Sequence, residues 1–339
     1  RRFGADRVAL AVTVTSAVAL LARAIVHTAL PFLCLTFLAL AAMAIGNVLL
    51  PSLVRRYFPD RIGLVTALYS TSFALGVAAA SALTAPIAAE LGSWRWGIGI
   101  WAGTAVLAAL PLLMLARDRR VEVPTPSPLT LAMVARTRIG WLVATAFGLQ
   151  AVQAYTIFGW LATVYVDSGT SSVDAGFMLG LITATSVPLS FLLPTVVLHG
   201  RHTGLLSIGV VSCYPMGYLG LLLTPHATPW LWAVLIGVGQ GSFPMIMALI
   251  AQRARTPDGT AALSAFAQSV GYLFAIPGPF LVGIVHEATA GWTAPLIGLS
   301  VLVGALAVLL AAACRSGTVE DELAAAQGGH DVRHRALLK

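Results

Sequence analysis

The stretch Ala146–Tyr165, AFGLQAVQAYTIFGWLATVY, sits inside a longer apolar run from Ile139 to Tyr165. No charge occurs between Arg138 and Asp167, which is length enough for a helix crossing ~30 Å of hydrocarbon. Lipid offers the backbone no hydrogen-bond partners, so a run of this kind has to satisfy its own N–H and C=O groups as a helix. Gln150, Gln153, Tyr155 and Trp160 interrupt it. A polar side chain at that depth is kept for a partner or for a function.

The rest of the chain is of the same kind. Of its 339 residues 58% are hydrophobic and 10% charged, whereas in soluble domains about a quarter carry charge. Ten apolar segments stand out, at about 8–22, 29–54, 62–88, 94–115, 139–165, 175–198, 204–223, 229–250, 260–284 and 292–314. With no alternating strand pattern among them, they predict an all-α, polytopic membrane protein. The formal charge of +7 is not a nucleic-acid footprint, because the arginines fall between hydrophobic runs rather than on one face. Of twenty basic side chains, all but Arg23 and Arg95 lie in alternate gaps on one side. That asymmetry predicts a cytoplasmic location for residue 1, the central loop and the C-terminal tail. Tryptophans near segment ends, such as Trp94, Trp141, Trp230 and Trp292, suit the two interfaces. Nineteen arginines against one lysine fit a GC-rich bacterial genome, hence an inner membrane.

An internal repeat organises the segments. GNVLLP at Gly46–Pro51 returns as GQGSFP at Gly239–Pro244, an offset of 244 minus 51, or 193. The following loops repeat as well: RRYFPDR, with Pro59 and Asp60, matches RARTPDG, with Pro257 and Asp258, at 257 minus 59, or 198. A period near 195 with six segments in the later copy predicts two parallel six-helix halves. On that period, the counterpart of Arg138 falls about 57 residues before Arg1, room for two helices of ~20 residues. Ten helices of a twelve-helix fold are therefore expected here, with a true ten-span protein as the alternative. The expected divisions are 1–116 for the N-terminal half lacking its first two helices, 117–138 for a cytoplasmic loop, 139–314 for the six-helix C-terminal half and 315–339 for a tail. Within the loop PLTLAMVAR reads as a short interfacial helix, and in the tail Thr318 and Asp321 resemble a capping box on a solvated helix.

No Asp, Glu, Lys or His falls inside a marked segment. Intramembrane proton relays and hydrolases need such groups, so an enzyme is not expected. Cys34, Cys213 and Cys314 lie in or beside apolar segments without paired or metal-ligand spacing, and neither metal site nor cofactor follows. What remains at depth is neutral. At ~100° per residue Gln150, Gln153, Ile157 and Trp160 share one face within about 80°, while Tyr155 points about 140° away from Gln150 and is expected to pack on a neighbouring helix. At ~1.5 Å per residue Gln150 and Gln153 lie about 18 and 22 Å above Arg138, Gln240 about 20 Å above Arg253, and Asn47 about 12 Å above Arg55. Transporter sites sit near the midplane between repeats; helix-to-helix packing is the competing use of the same amides.

The GLQxxxxY and GWLATVY patterns of the central helix, the GNVLLPSLVRRYFPDR junction, the GSWRW loop and the RRFG start together resemble the cyanate and nitroimidazole transporters of the major facilitator superfamily. The resemblance implies twelve helices, a central cavity lined by the first, fourth, seventh and tenth, and alternating access. It assigns Asn47 to the fourth helix, Gln150, Gln153 and Trp160 to the seventh and Gln240 to the tenth. The family's WLP stands here as WLA, with Ala162 after Leu161. The expectation is thus a monomeric transporter of a small polar or singly anionic solute, with proton coupling left open. Gln150, Gln153, Trp160, Gln240 and Asn47 are the expected solute contacts, and Arg55, Arg56, Asp60 and Asp258 the expected gates. A drug exporter of the same fold and a non-transporting membrane scaffold are the alternatives.

Overall fold

A computed structural model of the chain describes residues 5–115, 129–199 and 203–325. Every regular element among them is helical. In order they are α1 (Ala5–Ile25), α2 (Ala29–Tyr57), α3 (Ile62–Glu90), α4 (Trp94–Gly99), α5 (Ala102–Leu115), α6 (Leu131–Val134), α7 (Arg138–Asp167), α8 (Ser172–His199), α9 (Thr203–Leu223), α10 (Pro229–Gln240), α11 (Ser242–Gln252), α12 (Pro257–Ala275), α13 (Pro277–Thr289) and α14 (Thr293–Ala313). Joining α4 with α5, α10 with α11 and α12 with α13 gives 10 candidate membrane spans among the described residues.

The broken spans have local causes. Pro244 has no N–H to offer the carbonyl of Gln240, and Gly241 closes α10 with a tighter bond from its N–H to Val238 O at 2.9 Å. Pro277 likewise interrupts the ladder at Ile276, which keeps helical dihedrals of −50° and −50°. Helix ends are written as locally. At α7, Thr137 accepts from the N–H of Gly140 at 3.1 Å. The far end stops on Gly169 at φ 97°, with its N–H on Val166 O and that of Thr170 on Tyr165 O, the paired bonds of a Schellman stop. Gly92, at φ 64°, closes α3 the same way before the GSWRW turn, where Ser93 then caps α4 through the N–H of Arg95.

The chain forms two compact units, 1–125 and 126–339. In the first, α1 packs on α2 and α5 through a small core of Ala19, Leu20, Ala39 and Ala102. Large apolar side chains such as Leu30, Phe37 and Met114 stay exposed, as a lipid-facing surface requires and a water-facing one avoids. The second unit holds six spans around a continuous core that takes in Phe147, Tyr214, Tyr218, Ile236, Leu263 and Leu306.

Within this unit α7 packs most extensively against α12. The crossing depends on facing glycines. A β-carbon at Gly148 would lie 3.1 Å from the carbonyl oxygen of Gly271, and one at Gly271 would drive into the ring of Phe147. Lipid tails are as apolar as a leucine, so this close backbone approach, rather than a hydrophobic drive, holds the pair.

Three expectations change. The segment read as 260–284 runs as helix to Thr289, so His286 and Glu287 belong to its last turn. The PLTLAMVAR stretch contains one short turn, α6, whose Val134 is fully buried rather than laid on a surface. Tail residues 319–325 are helical as expected but packed at their start rather than solvated throughout: Val319 is fully buried. The capping contact within it is present, with the Thr318 hydroxyl donating to Asp321 at 2.7 Å.

Replacing Gly271 by Leu is expected to lower the melting temperature of the detergent-purified protein by an amount equivalent to ~1–3 kcal/mol or more. Gly298→Leu, on α14 with nothing within 4 Å, serves as the control and should change little. Equal melting of the two variants would contradict the close crossing.

Candidate functional site

The two glutamines of α7 meet two tyrosines of α9. Gln150 Nε2 donates to Gln240 Oε1 at 3.1 Å, and the Tyr214 hydroxyl donates to the same oxygen at 3.0 Å. One turn on, Gln153 Nε2 donates to the carbonyl of Leu299 at 2.9 Å, and the Tyr218 hydroxyl donates to Gln153 Oε1 at 2.7 Å. The tyrosine rings stack, with centroids 6.1 Å apart. All five side chains are buried, Gln153 completely. Two rungs thus tie α7, α9, α10 and α14 together. Space for the Tyr214 ring is made by Gly239, where any β-carbon would overlap it.

The expected site residues are distributed as follows. Gln150 and Gln240 touch, and Gln153 lies one turn along, with its amide nitrogen and oxygen both engaged within the unit. Ile157, on the same face, is also buried. Trp160 sits further along α7, its indole N–H on the carbonyl of Pro279 at 2.8 Å. Asn47 belongs to the other unit, where it is exposed on α2. Asp60 is exposed in the short 3-10 turn Pro59–Arg61, and Asp258 is exposed in the first turn of α12. The side chains of Arg55 and Arg56 lie outside the described residues, as do RRFG and most of the central loop. Tyr155 packs on a neighbouring helix as expected, its ring 6.2 Å from that of Tyr272 on α12, though it stays 48% exposed.

Within this network one amide nitrogen is left over, and on α7 the buried Thr156 hydroxyl also lacks a partner among the described residues. Gln240 is 8% exposed, and its Nε2 has no partner among the described residues. An unpaired amide N–H₂ in such a place costs ~1–3 kcal/mol unless a ligand or water takes it. An aromatic group is built on the neighbouring elements. Phe243 follows Gln240 by three residues and lies 6.1 Å from Phe147, which lies 5.0 Å from Tyr272. Phe147 is buried, whereas Phe243, Tyr155 and Tyr272 are each roughly half exposed. These rings form a partly open aromatic group on α7, α11 and α12.

A second cluster lies at the far end of α7. Trp292 donates its indole N–H to Asp167 at 2.8 Å and stacks on His286 at 3.9 Å, with Trp160 5.8 Å away. Among the described residues no group of His, Cys, Asp and Glu is arranged to hold a metal ion. Sequence reading passed over Tyr214 and Tyr218, although their spacing of four on an apolar helix put both hydroxyls on one face. His286 was missed because the apolar run stops before the helix does.

The Tyr218–Gln153 rung is open to a double-mutant cycle. Tyr218→Phe leaves Gln153 Oε1 buried without its donor and should cost ~1–3 kcal/mol. Gln153→Leu should cost a similar amount, and the double variant less than the sum by ~1 kcal/mol. Additive losses in thermal unfolding would mean that the two side chains do not bond.

The family description Major Facilitator Superfamily matches residues 1–279. An uncharacterized transporter of Bacillus subtilis is 33% identical over 278 residues, covering 81% of this chain and 68% of that protein. The 2-nitroimidazole transporter of Escherichia coli is 32% identical over 316 residues, covering 89% and 77%. The cyanate transport protein of the same organism is 27% identical over 256 residues, covering 75% and 66%. With its membrane-spanning helices and these transporter relatives, the chain belongs to the major facilitator superfamily, as a multi-pass membrane transporter of a small-molecule solute.

Proposed function

We propose that this transporter carries a small, planar, polar or singly anionic solute of the cyanate or nitroimidazole kind across a bacterial inner membrane by alternating access. The observation that carries the reading is the unspent Nε2 of Gln240, buried at the end of α10 three residues before Phe243. A neutral donor binds a weakly hydrated monoanion without a fixed countercharge, and the rings accept a flat heterocycle. Two relatives are named for solutes of these two kinds.

Roles divide accordingly. Gln240 donates to the solute, and Gln150 and Tyr214 hold its oxygen so that the nitrogen faces outward from the pair. Gln153 and Trp160, whose donors rest on the carbonyls of Leu299 and Pro279, shape the path around α7 and reach the solute when those bonds exchange. Asn47 offers a further neutral amide on its own unit. Asp60 and Asp258, with Arg55 and Arg56, are the proposed gating charges. The protein acts as a monomer.

The test is uptake of labelled cyanate and of 2-nitroimidazole by membrane vesicles carrying the full-length protein. Gln240→Leu should reduce uptake of the transported compound about 10–100-fold, the loss expected for one hydrogen bond of ~1.5–3 kcal/mol to a charged solute. Tyr272→Phe, which keeps the ring, should leave most of it. Undiminished uptake by Gln240→Leu would remove the assignment.

A further inference from the structure

The residues after α14 gather three helix ends. Arg253, in the RARTPDG loop, donates to the carbonyls of Cys314 and Ser316 at 2.7 and 2.6 Å, closing the C-terminus of α14. Its own carbonyl accepts from the N–H of Val319 at 2.9 Å. Glu320 accepts from the N–H groups of Arg255 and Thr256, each at 3.0 Å, and from the Thr256 hydroxyl at 2.8 Å. Glu322, two residues on, accepts from the N–H groups of Arg138 and Ile139 at 2.6 and 3.2 Å. Arg255 reaches Asp321 at 2.6 Å.

The arrangement completes the donors that a helix start leaves open. At α7 the first two N–H groups go to Glu322 and the third to Thr137. At α12 Thr256 caps Gly259, and Glu320 grips Thr256 itself. A side chain at Gly259 would collide with the Glu320 carboxylate, so the loop is shaped to receive it. Carboxylates at these points also meet the positive ends of two helix dipoles. Partial burial acts to raise the Glu320 carboxyl, but the Arg255 and Thr256 donors outweigh it and hold it below the usual glutamate range. Between the charged side chains, Val319 is fully buried.

We propose that residues 318–322 form a clasp that locks the Arg138 end of α7 and the Pro257 end of α12 to each other, so that the two helices move as one body during transport. Glu320 and Glu322 are its positioning residues. They touch no solute. They act through α7, which carries Gln150 and Gln153, and through α12, which carries Tyr272. Because both carboxylates ride on one short segment seated by Val319, releasing either helix start loosens the other. Two independent caps have no such coupling, and the distinction is measurable.

Hydrogen exchange of the full chain in lipid nanodiscs, resolved to these amides, provides the test. Glu322→Ala removes the acceptor while favouring helix in the segment. It should speed exchange at Arg138 and Ile139 about tenfold, the scale of a lost cap, and should also speed exchange at Arg255 and Thr256. Glu320→Ala should do the reverse, acting first at Arg255 and Thr256 and then at Arg138 and Ile139. Val319→Ala, which alters neither carboxylate, should loosen both ends while the amides around Tyr214 and Tyr218 stay protected. Faster exchange confined to the helix start that each glutamate touches, or no change at either, would overturn the clasp.

Discussion

An amide in hydrocarbon has no water to fall back on, and the second unit is arranged around that constraint. Gln150 and Gln153 put four polar atoms into the middle of α7. Leaving them unpaired would cost several kcal/mol. The solution is the two tyrosines of α9, the amide of Gln240 and the carbonyl of Leu299. Individually such bonds between membrane helices contribute only ~0.6 kcal/mol on average. Their larger effect is on register: a shift of α9 by one residue would strand both hydroxyls and the Gln153 oxygen at once, leaving the Gln240 oxygen with Gln150 alone.

Register in turn demands close approach, and the glycines supply it. Gly239 lies under the Tyr214 ring and Gly271 under Phe147. The same residues that let the backbones meet also decide which side chains face each other. Phe147 packs on Tyr272 and Phe243 because α7, α11 and α12 come together there. Site and packing are therefore one construction. Gln240 belongs to both: its oxygen is held in the first rung, and its nitrogen is the atom the proposed solute would take.

Much of this was legible in the residues. Length and apolarity were enough for the ten spans, and the depth of Gln150, Gln153 and Gln240 followed from counting residues along a helix. What could not be read was partnership, because it depends on which helices cross and at what height. Nothing in the sequence of α9 says that Tyr214 and Tyr218 face glutamines 26 and 65 residues away. The buried tail was hidden for a related reason. Residues 318–322 look like any capped, solvated helix until the starts of α7 and α12 lie beneath them. His286 illustrates the opposite error, since hydropathy marks where a helix meets lipid and not where its hydrogen-bond ladder ends.

The ties on α7 also indicate where the second unit bends. Its 30 residues span ~45 Å at 1.5 Å per residue, and it is held at three heights: by Glu322 at Arg138, by the two amide rungs in the middle and by the Asp167–Trp292 bond at the end. A helix fixed along its length to α9, α12 and α14 is poorly placed to flex. The broken spans are different. At Gly241 and at Ile276 a proline has already removed one bond from the ladder, and the backbone there turns without losing more. Gln240 is the last residue of α10, directly before one of these joints, and Tyr272 lies one turn before the other. Both residues lie on the near side of their joints, so small rotations there would swing α11 and α13 while Gln240 stays in its rung and Tyr272 stays packed on Phe147 of α7.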